Sequence, residues 1–184
     1  MRPGFLQNLV LGSVVSAGVA MAGSAVPQTD ATVAQKAVHE IRMYPRYSIF
    51  DNINVRVQDG NLELLGQVSQ PYKKTDLQRI MDRVPGVRSV TNQLEVLPLS
   101  SFDDRLRMQV ASAIYRDPVL SRFGMGALPS IHVIVDNGHV TLEGVVSTEM
   151  ERNVAGIRAS SAGLGFGPVV NHLVVENPSK KKNS

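Results

Sequence analysis

Apolar and polar residues alternate along two separate stretches of the chain, residues 53–69 and 131–147. Each stretch is interrupted once, by Asp59-Gly60 in the first and by Asn137-Gly138 in the second. These dipeptides take the positive φ angles of a two-residue turn at little cost. Each stretch is therefore predicted to be a β-hairpin.

The two stretches are copies of one another, 78 residues apart. Eight of their seventeen positions are identical without a gap, which is too many for chance. The identical pairs are Ile53/Ile131, Val55/Val133, Val57/Val135, Gly60/Gly138, Leu64/Leu142, Gly66/Gly144, Val68/Val146 and Ser69/Ser147.

Apolar residues at helical spacing lie before and after each hairpin. After the first hairpin they are Leu77, Ile80, Met81 and Val84. After the second, Thr148 and Glu151 form a capping box that predicts the start of a helix. The preceding helices are indicated by Ala34, Ala37, Val38 and Ile41 in the first copy and by Leu106, Val110, Ala113 and Ile114 in the second.

A further alternating run, residues 90–96 or 169–175, closes each copy as a strand. The sequence predicts an α+β fold of two tandem α-β-β-α-β units, residues 30–97 and 101–177. Each unit is expected to form a small mixed three-stranded sheet with two helices on one face, connected by a right-handed crossover.

The hairpin, helix and closing strand together resemble the BON domain. The first copy matches its pattern at Val57, Asp59, Gly60, Leu62, Leu64, Gly66, Val68, Ser69, Gly86, Val87, Val90, Asn92, Leu94 and Val96. The second copy departs from the pattern at Asn137 and at residues 165–168. The resemblance implies a secreted or periplasmic protein concerned with envelope stress, membrane or phospholipid contact, or client binding. It supplies no catalytic motif.

The first 25 residues have the pattern of a secretory signal peptide. Arg2 precedes an apolar stretch, and the small residues around Ala20 and Ala22 suit cleavage. An uncleaved membrane anchor is the alternative, although Gly and Ser make the stretch weakly apolar. The chain has no Cys, which excludes a lipoprotein, disulfides and thiol chemistry. The expected location is the periplasm or the exterior.

The net charge of +3 arises at the two ends of the chain. Arg2 and the tail lysines Lys180, Lys181 and Lys182 hold four of the 19 basic residues, so the remainder nearly balances the 16 acidic ones. A near-neutral body argues against a nucleic-acid groove. The basic tail, residues 178–184, suits contact with anionic lipid.

The copies differ most in the segment between the first helix and the hairpin. The second copy has a longer segment, rich in apolar residues and Gly, in place of residues 44–50. Its candidate lipid- or partner-binding residues are Arg116, Leu120, Arg122, Phe123, Met125 and Leu128. The alternative is that Leu120 and Phe123 cap the hydrophobic core.

Leu164 and Phe166 form a second candidate contact, an apolar tip within a glycine-rich segment. The alternative is that Phe166, which aligns with Val87, packs inward. The glycines follow a helix and precede a strand, which is the wrong order for a phosphate-binding loop. A helix end with a turn is the favoured reading of this segment.

No cluster in the sequence indicates catalysis, a cofactor or a small-molecule substrate. A two-residue turn places His132 opposite Glu143, with His172 on the next strand. The first copy has amides at the positions of His132, His139 and His172, so surface hydrogen bonding is favoured over metal binding.

Residues shared by the copies are expected to be architectural. Gly66 and Gly144 would let a helix approach the sheet or mark a bulge. Asn92 and Asn171 would satisfy backbone groups near a strand end, because a buried amide without a partner is costly.

The sequence thus predicts a non-enzymatic binding module of the cell envelope. One hypothesis is association with anionic phospholipid membranes, through the second unit and the lysine tail, in envelope maintenance or stress. The other is a chaperone-like holdase or adaptor that binds envelope proteins through the loop 119–129 or the cleft between the units.

Overall fold

The computed structural model describes residues 29–126, 129–162 and 165–176. The first unit contains α1 (Asp30–Met43), β1 (Asn52–Gln58), β2 (Asn61–Val68), α2 (Pro71–Met81), β3 (Ser89–Asn92) and β4 (Glu95–Val96). The second contains α3 (Ser101–Tyr115), a 3₁₀ turn (Ser121–Gly124), β5 (Ile131–Asp136), β6 (His139–Val146), α4 (Glu149–Ala162), β7 (Val170–Asn171) and β8 (Val174–Val175). The predicted signal peptide and basic tail lie outside the described residues.

Both units have the predicted α+β architecture and element order. In each, the hairpin strands are antiparallel, and the closing segments pair parallel to the second hairpin strand. The closing strand is not continuous, so each sheet has four strand segments rather than three. The side chain of Asn92 accepts a hydrogen bond from the Leu94 backbone N–H, and Asn171 accepts one from Leu173 in the same way. This local bonding diverts the chain from the ladder between the two segments.

The hairpin turns have the predicted left-handed geometry. Asp59 and Gly60 have φ angles of 52° and 76°, and Asn137 and Gly138 have 48° and 79°. A carboxylate from the first helix of each unit holds the turn. Asp30 accepts hydrogen bonds from the two turn N–H groups of the first hairpin at 2.7 and 2.9 Å.

Asp103 repeats this arrangement in the second unit, accepting hydrogen bonds from the Asn137 and Gly138 N–H groups at 3.1 and 2.8 Å. The start of each unit's first helix is therefore tied to its own hairpin.

Each unit has its own hydrophobic core between its helices and one face of its sheet. The first core contains Val33, Ala37, Ile41, Tyr44, Leu62, Leu64, Val68, Leu77, Met81, Val84 and Leu94. The second contains Leu106, Val110, Ala111, Ile114, Leu120, Ile131, Val133, Val135, Val140, Leu142, Val146, Ala155, Ala159 and Leu173. Both helices of each unit supply buried residues to its core, as predicted.

The repeated strand glycines accommodate a neighbouring strand rather than a helix. Gly66 and Gly144 have φ angles of 110° and 118°. A Cβ atom at Gly66 would lie 2.1 Å from the carbonyl oxygen of Asn52, and one at Gly144 would lie 2.0 Å from that of Ser130. The expectation of a helix approach was therefore wrong for both positions.

The repeated asparagines bond backbone groups near a strand end, as predicted, and also reach the second helix, which was not predicted. The Asn92 amide donates to the Lys74 carbonyl at 2.9 Å, and the Asn171 amide donates to the Arg152 carbonyl at 2.8 Å. Each asparagine therefore ties the closing strand to the second helix of its unit.

The loop after α1 makes direct contacts with the second unit. The Val133 N–H on β5 donates to the carbonyl of Ile49 at 2.7 Å. Ile49 and Phe50 pack against the second core, and the Tyr47 ring lies 5.6 Å from the His132 ring. The loop between α1 and β1 thus brings the two units into direct contact.

Candidate binding surface of the second unit

The segment after α3 turns sharply and carries Leu120 into the core. The backbone N–H of Leu120 donates to the carbonyl of Asp117 at 3.1 Å, and the Leu120 side chain is fully buried. Phe123 is half-buried and packs against the same core. Leu120 therefore cannot contribute to an exposed apolar surface. Leu120 and Phe123 cap the hydrophobic core, which was the alternative prediction for them.

Asp117 fixes the turn through its carboxylate. It accepts hydrogen bonds from the Val119 N–H at 2.8 Å and from Arg158 Nε at 2.6 Å. The backbone hydrogen bond from Val119, together with Arg158, lowers the pKa of Asp117. Asp117 is buried whereas the Arg158 side chain is 51% exposed, so the cation faces solvent.

A second ion pair joins the 3₁₀ turn to α4. Arg122 donates to Glu151, and its guanidinium lies 4.7 Å from the centre of the Phe123 ring. Glu151 also accepts hydrogen bonds from the N–H groups of Ser147 and Thr148, which completes the predicted capping box. Burial opposes ionisation of Glu151, but hydrogen bonds from Thr148 and Arg122 outweigh it and lower the pKa.

The first unit has the corresponding pair with its charges reversed. Lys73, on the second helix, occupies the position of Glu151, and its Nζ lies 2.6 Å from Oδ2 of Asp51 on the preceding loop. Both side chains are buried. Ser48 and Ser69 donate backbone and hydroxyl hydrogen bonds to Asp51, so the pair is fully partnered. This exchange of charge was not predicted, although Lys73 and Glu151 occupy the same position of the repeat.

Arg116 lies at the carboxyl end of α3, beside a shallow groove between α3 and α4. The groove has a volume of about 400 Å³ and is lined by Ala113, Arg116, Asp117, Pro118, Arg158, Ser161 and Ala162. Arg116 is exposed and forms no ion pair with any other described residue. Arg158 was not among the residues predicted from the sequence.

Exposed apolar side chains lie near Arg116, at the end of the second unit where α3 finishes. Met125 is 84% exposed and Val119 is 37% exposed. Gly124, next to Met125, packs against the ring of Tyr115 at the end of α3. Arg116, Val119 and Met125 therefore belong to one end of the second unit. Leu128 lies outside the described residues.

Phe166 belongs to the opposite end. It is 70% exposed, so the expectation of inward packing was wrong. Its ring stacks on Phe102 at the start of α3, with centroids 5.2 Å apart. Gly138 leaves room for the ring, because a Cβ there would lie 2.3 Å from it. A 15-residue helix is about 22 Å long, so Phe166 and Arg116 do not form one site. Leu164 and Lys180, Lys181 and Lys182 lie outside the described residues.

The histidines adopt the predicted cross-strand register, with His132 opposite Glu143. His172 Nδ1 lies 2.9 Å from Glu143 Oε1, whereas His132 packs against Tyr47. Burial lowers the pKa of His132 despite the nearby carboxylate of Asp51. Among the described residues no group of three or more ligands is placed to hold a metal ion.

No helix among the described residues is both long and apolar enough to cross a bilayer.

Comparison with known structures finds proteins of Chlamydia trachomatis. One is a structure of CdsD, a structural protein of its type III secretion system. It is 16% identical, with coverage of 77% of this chain and 60% of that chain and a TM-score of 0.31. The other is the C-terminal domain of CdsD, which is 15% identical, with coverage of 83% and 100% and a TM-score of 0.29. No curated protein matches the sequence.

The family model of the BON domain matches residues 29–98 and 102–177. BON domains are generally non-catalytic modules associated with membranes or phospholipids, and proteins that carry them are typically periplasmic or envelope-associated. The two matched segments contain the two repeated units, with their clamped hairpins and asparagine-tied strands. The chain therefore belongs to the BON domain family and carries the domain twice in tandem.

Proposed function

We propose that the protein is a non-enzymatic binding module of the cell envelope that associates with anionic phospholipid surfaces through its second unit. The observation that supports this most directly is the exposed end of α3. Arg116, which has no ion-pair partner among the described residues, lies there at the same end as the exposed apolar side chains of Val119 and Met125. Cations beside apolar side chains are the combination that interfacial binding requires.

The ion pairs at this end add to the outward positive charge. Arg122 and Arg158 are 55% and 51% exposed, whereas their partners Glu151 and Asp117 are buried behind them. The carboxylates remain ionised at neutral pH because both have lowered pKa values. A lipid phosphate approaching this end therefore meets guanidinium groups first.

The tail lysines Lys180, Lys181 and Lys182 extend the same proposal beyond the described residues. Each basic residue near an anionic surface contributes about 1 kcal/mol. Arg116 alone is thus too weak an anchor, and binding is expected to need the tail, the arginines and the exposed apolar side chains together.

Co-sedimentation with liposomes tests the proposal. The purified two-unit protein is mixed with vesicles containing or lacking phosphatidylglycerol, at low and high salt. Binding should require the anionic lipid and should weaken with salt, because the Debye length falls from about 10 Å at 0.1 M to about 3 Å at 1 M. Absence of binding to anionic vesicles at low salt would refute the proposal.

Three variants identify which residues contact the membrane. Arg116→Ser and deletion of Lys180–Lys182 should each reduce binding, and Met125→Ser should reduce the portion that survives high salt. Arg83→Ser is the matched control, because Arg83 lines the equivalent inter-helix groove of the first unit. An equal loss in the control would show a general charge effect rather than a site on the second unit.

A second candidate function, a holdase or adaptor for envelope proteins, is favoured by a different observation. A cavity of about 400 Å³ lies between the units, and its walls include Val38, Ile53, Pro129 and Val145. Client binding in an apolar cavity should persist at high salt, which separates it from the lipid proposal. Crosslinking in envelope extracts would test this function. In the Val145→Arg variant the arginine side chain would fill the cavity, and crosslinking to clients should be lost.

A further inference from the structure

The two units differ in how the outer edge of the first hairpin strand is closed. In the second unit, three groups occupy the edge of β5. The Ile49 carbonyl accepts from the Val133 N–H, the Arg107 guanidinium donates to the Val135 carbonyl at 2.8 Å, and the Tyr115 hydroxyl donates to the Ile131 carbonyl. Burial raises the pKa of Tyr115 to about 12, so its hydroxyl retains the donated proton.

Among the described residues, the corresponding edge of β1 in the first unit has no such partners. Arg42 and Ala34 stand at the positions of Tyr115 and Arg107 in the repeat, and no carbonyl among the described residues bonds to this edge. Ala34 has no polar side chain, and Arg42 makes no hydrogen bond to another described residue.

The register between β1 and β2 shows which backbone groups of β1 point away from the sheet. Val55 lies opposite Leu64, whose carbonyl accepts a hydrogen bond from the Gln93 N–H on the far side of β2. The backbone groups of Leu64 therefore point away from β1, and those of Val55 point away from β2. No described residue bonds to the Val55 N–H, so it is an open donor on a sheet edge.

The inter-unit cavity adjoins this open edge. Ile53, two residues before Val55 on the same edge, lines the cavity with Val38 from α1 and Val145 from β6. Val38 and Val145 are 39% and 44% exposed. Arg42 lies at the rim and forms no ion pair with a described residue.

We propose that the β1 edge and the adjoining cavity bind an extended polypeptide segment by strand addition, with an aliphatic side chain in the cavity and an acidic side chain facing Arg42. Strand addition supplies main-chain hydrogen bonds for affinity and alternate side-chain pockets for specificity. The Ile49–Val133 bond shows that this edge of the fold accepts a backbone partner. Because the second unit walls the cavity beside Ile53, the opening suits a single strand better than a second folded sheet.

The inference is independent of the lipid proposal, since it uses the first unit and the cleft rather than the end of α3. If the protein is a holdase or adaptor, strand addition would be the way in which it recognises its client proteins.

Fluorescence anisotropy with a labelled peptide tests the inference. The probe is a heptapeptide of alternating valine and threonine with a central glutamate, titrated into the purified two-unit protein. Val55→Pro removes the outward N–H and leaves the ladder to β2 intact, which proline tolerates at an edge. It should weaken binding about tenfold, which matches the loss of one or two hydrogen bonds.

Val96→Pro is the matched control on the opposite edge of the same sheet. The Leu97 N–H bonds to Val68, so the N–H of Val96 points outward in the same way. This variant should bind the peptide like the parent. Val145→Arg, which fills the cavity, and Arg42→Glu should both weaken binding and serve as the test if Val55→Pro fails to fold.

Amide hydrogen exchange locates the contact. Peptide binding should slow exchange at Val55 and leave Val96 unchanged. No binding at millimolar peptide, or equal losses in Val55→Pro and Val96→Pro, would overturn the inference. Self-association that Val55→Pro abolishes would also overturn it, by assigning the edge to a second copy. Liposome co-sedimentation of Val55→Pro should match the parent protein, which keeps this test separate from the lipid proposal.

Discussion

The buried ion pair of the first unit gives the sharpest test of the structure. Replacing Lys73 with Met removes the cation 2.6 Å from Asp51 and retains most of the side-chain volume. The carboxylate then stays fully buried without a counter-charge. Breaking a buried pair by removing one partner costs about 3 to 5 kcal/mol of folding free energy.

The remaining partners of Asp51 place the expected cost at the lower end of this range. Ser48 and Ser69 still donate four hydrogen bonds to the carboxylate, at 2.8 to 2.9 Å. We therefore expect Lys73→Met to lower the free energy of unfolding of the first unit by about 3 kcal/mol. Asp51→Asn combined with Lys73→Met removes both charges and should restore part of that loss.

Urea denaturation followed by circular dichroism measures these changes, with Arg122→Met as the matched control. Arg122 is 55% exposed, so loss of its pair with Glu151 is expected to cost about 1 kcal/mol or less. A loss below about 1 kcal/mol for Lys73→Met, or equal losses for the two variants, would refute the reasoning from burial.

Three further changes test other parts of the fold. Gly144→Ala should destabilise the second unit by about 2 kcal/mol or more, because the position has positive φ and a carbonyl oxygen stands in the place of the Cβ; thermal unfolding measures it. The lowered pKa of His132 predicts stability that is complete above pH 6.5 and declines below it, as the unfolded chain takes up a proton that the folded protein resists. His132→Asn, the residue found in the first unit, should flatten this decline, whereas an unchanged pH profile would contradict it. Asp103→Ala should cost about 1 to 3 kcal/mol and speed amide exchange at Gly138, because the turn loses its clamp.

The sequence predicted the parts of the fold that local chemistry determines. The turn residues at Asp59 and Asn137 indicated both hairpins, and the repeat indicated that Asn92 and Asn171 bond backbone groups near a strand end. These features need only neighbouring residues and the alternation of the strands. The broken closing strand was missed because its cause, a side-chain bond two residues away, competes with the ladder without altering the pattern.

The candidate site was less predictable because it depends on contacts distant in sequence. Leu120 enters the core because Asp117 closes a tight turn and is itself held by Arg158, 41 residues later. Phe166 stays exposed because it stacks on Phe102 instead of entering the core. Arg116, Arg122 and Met125 are the named candidates that the structure leaves exposed at one end of the unit.

The reversed ion pairs also bear on how a tandem repeat avoids misassembly. Two similar units in one chain are prone to exchange equivalent elements while they fold. If α2 docked on the second unit, Lys73 would meet Arg122, and if α4 docked on the first, Glu151 would meet Asp51. Each swapped arrangement would bring like charges together, whereas each correct arrangement pairs opposite ones. The two units are thus marked as distinct partners, so that a chain with nearly repeated hairpins still assembles each helix with its own sheet.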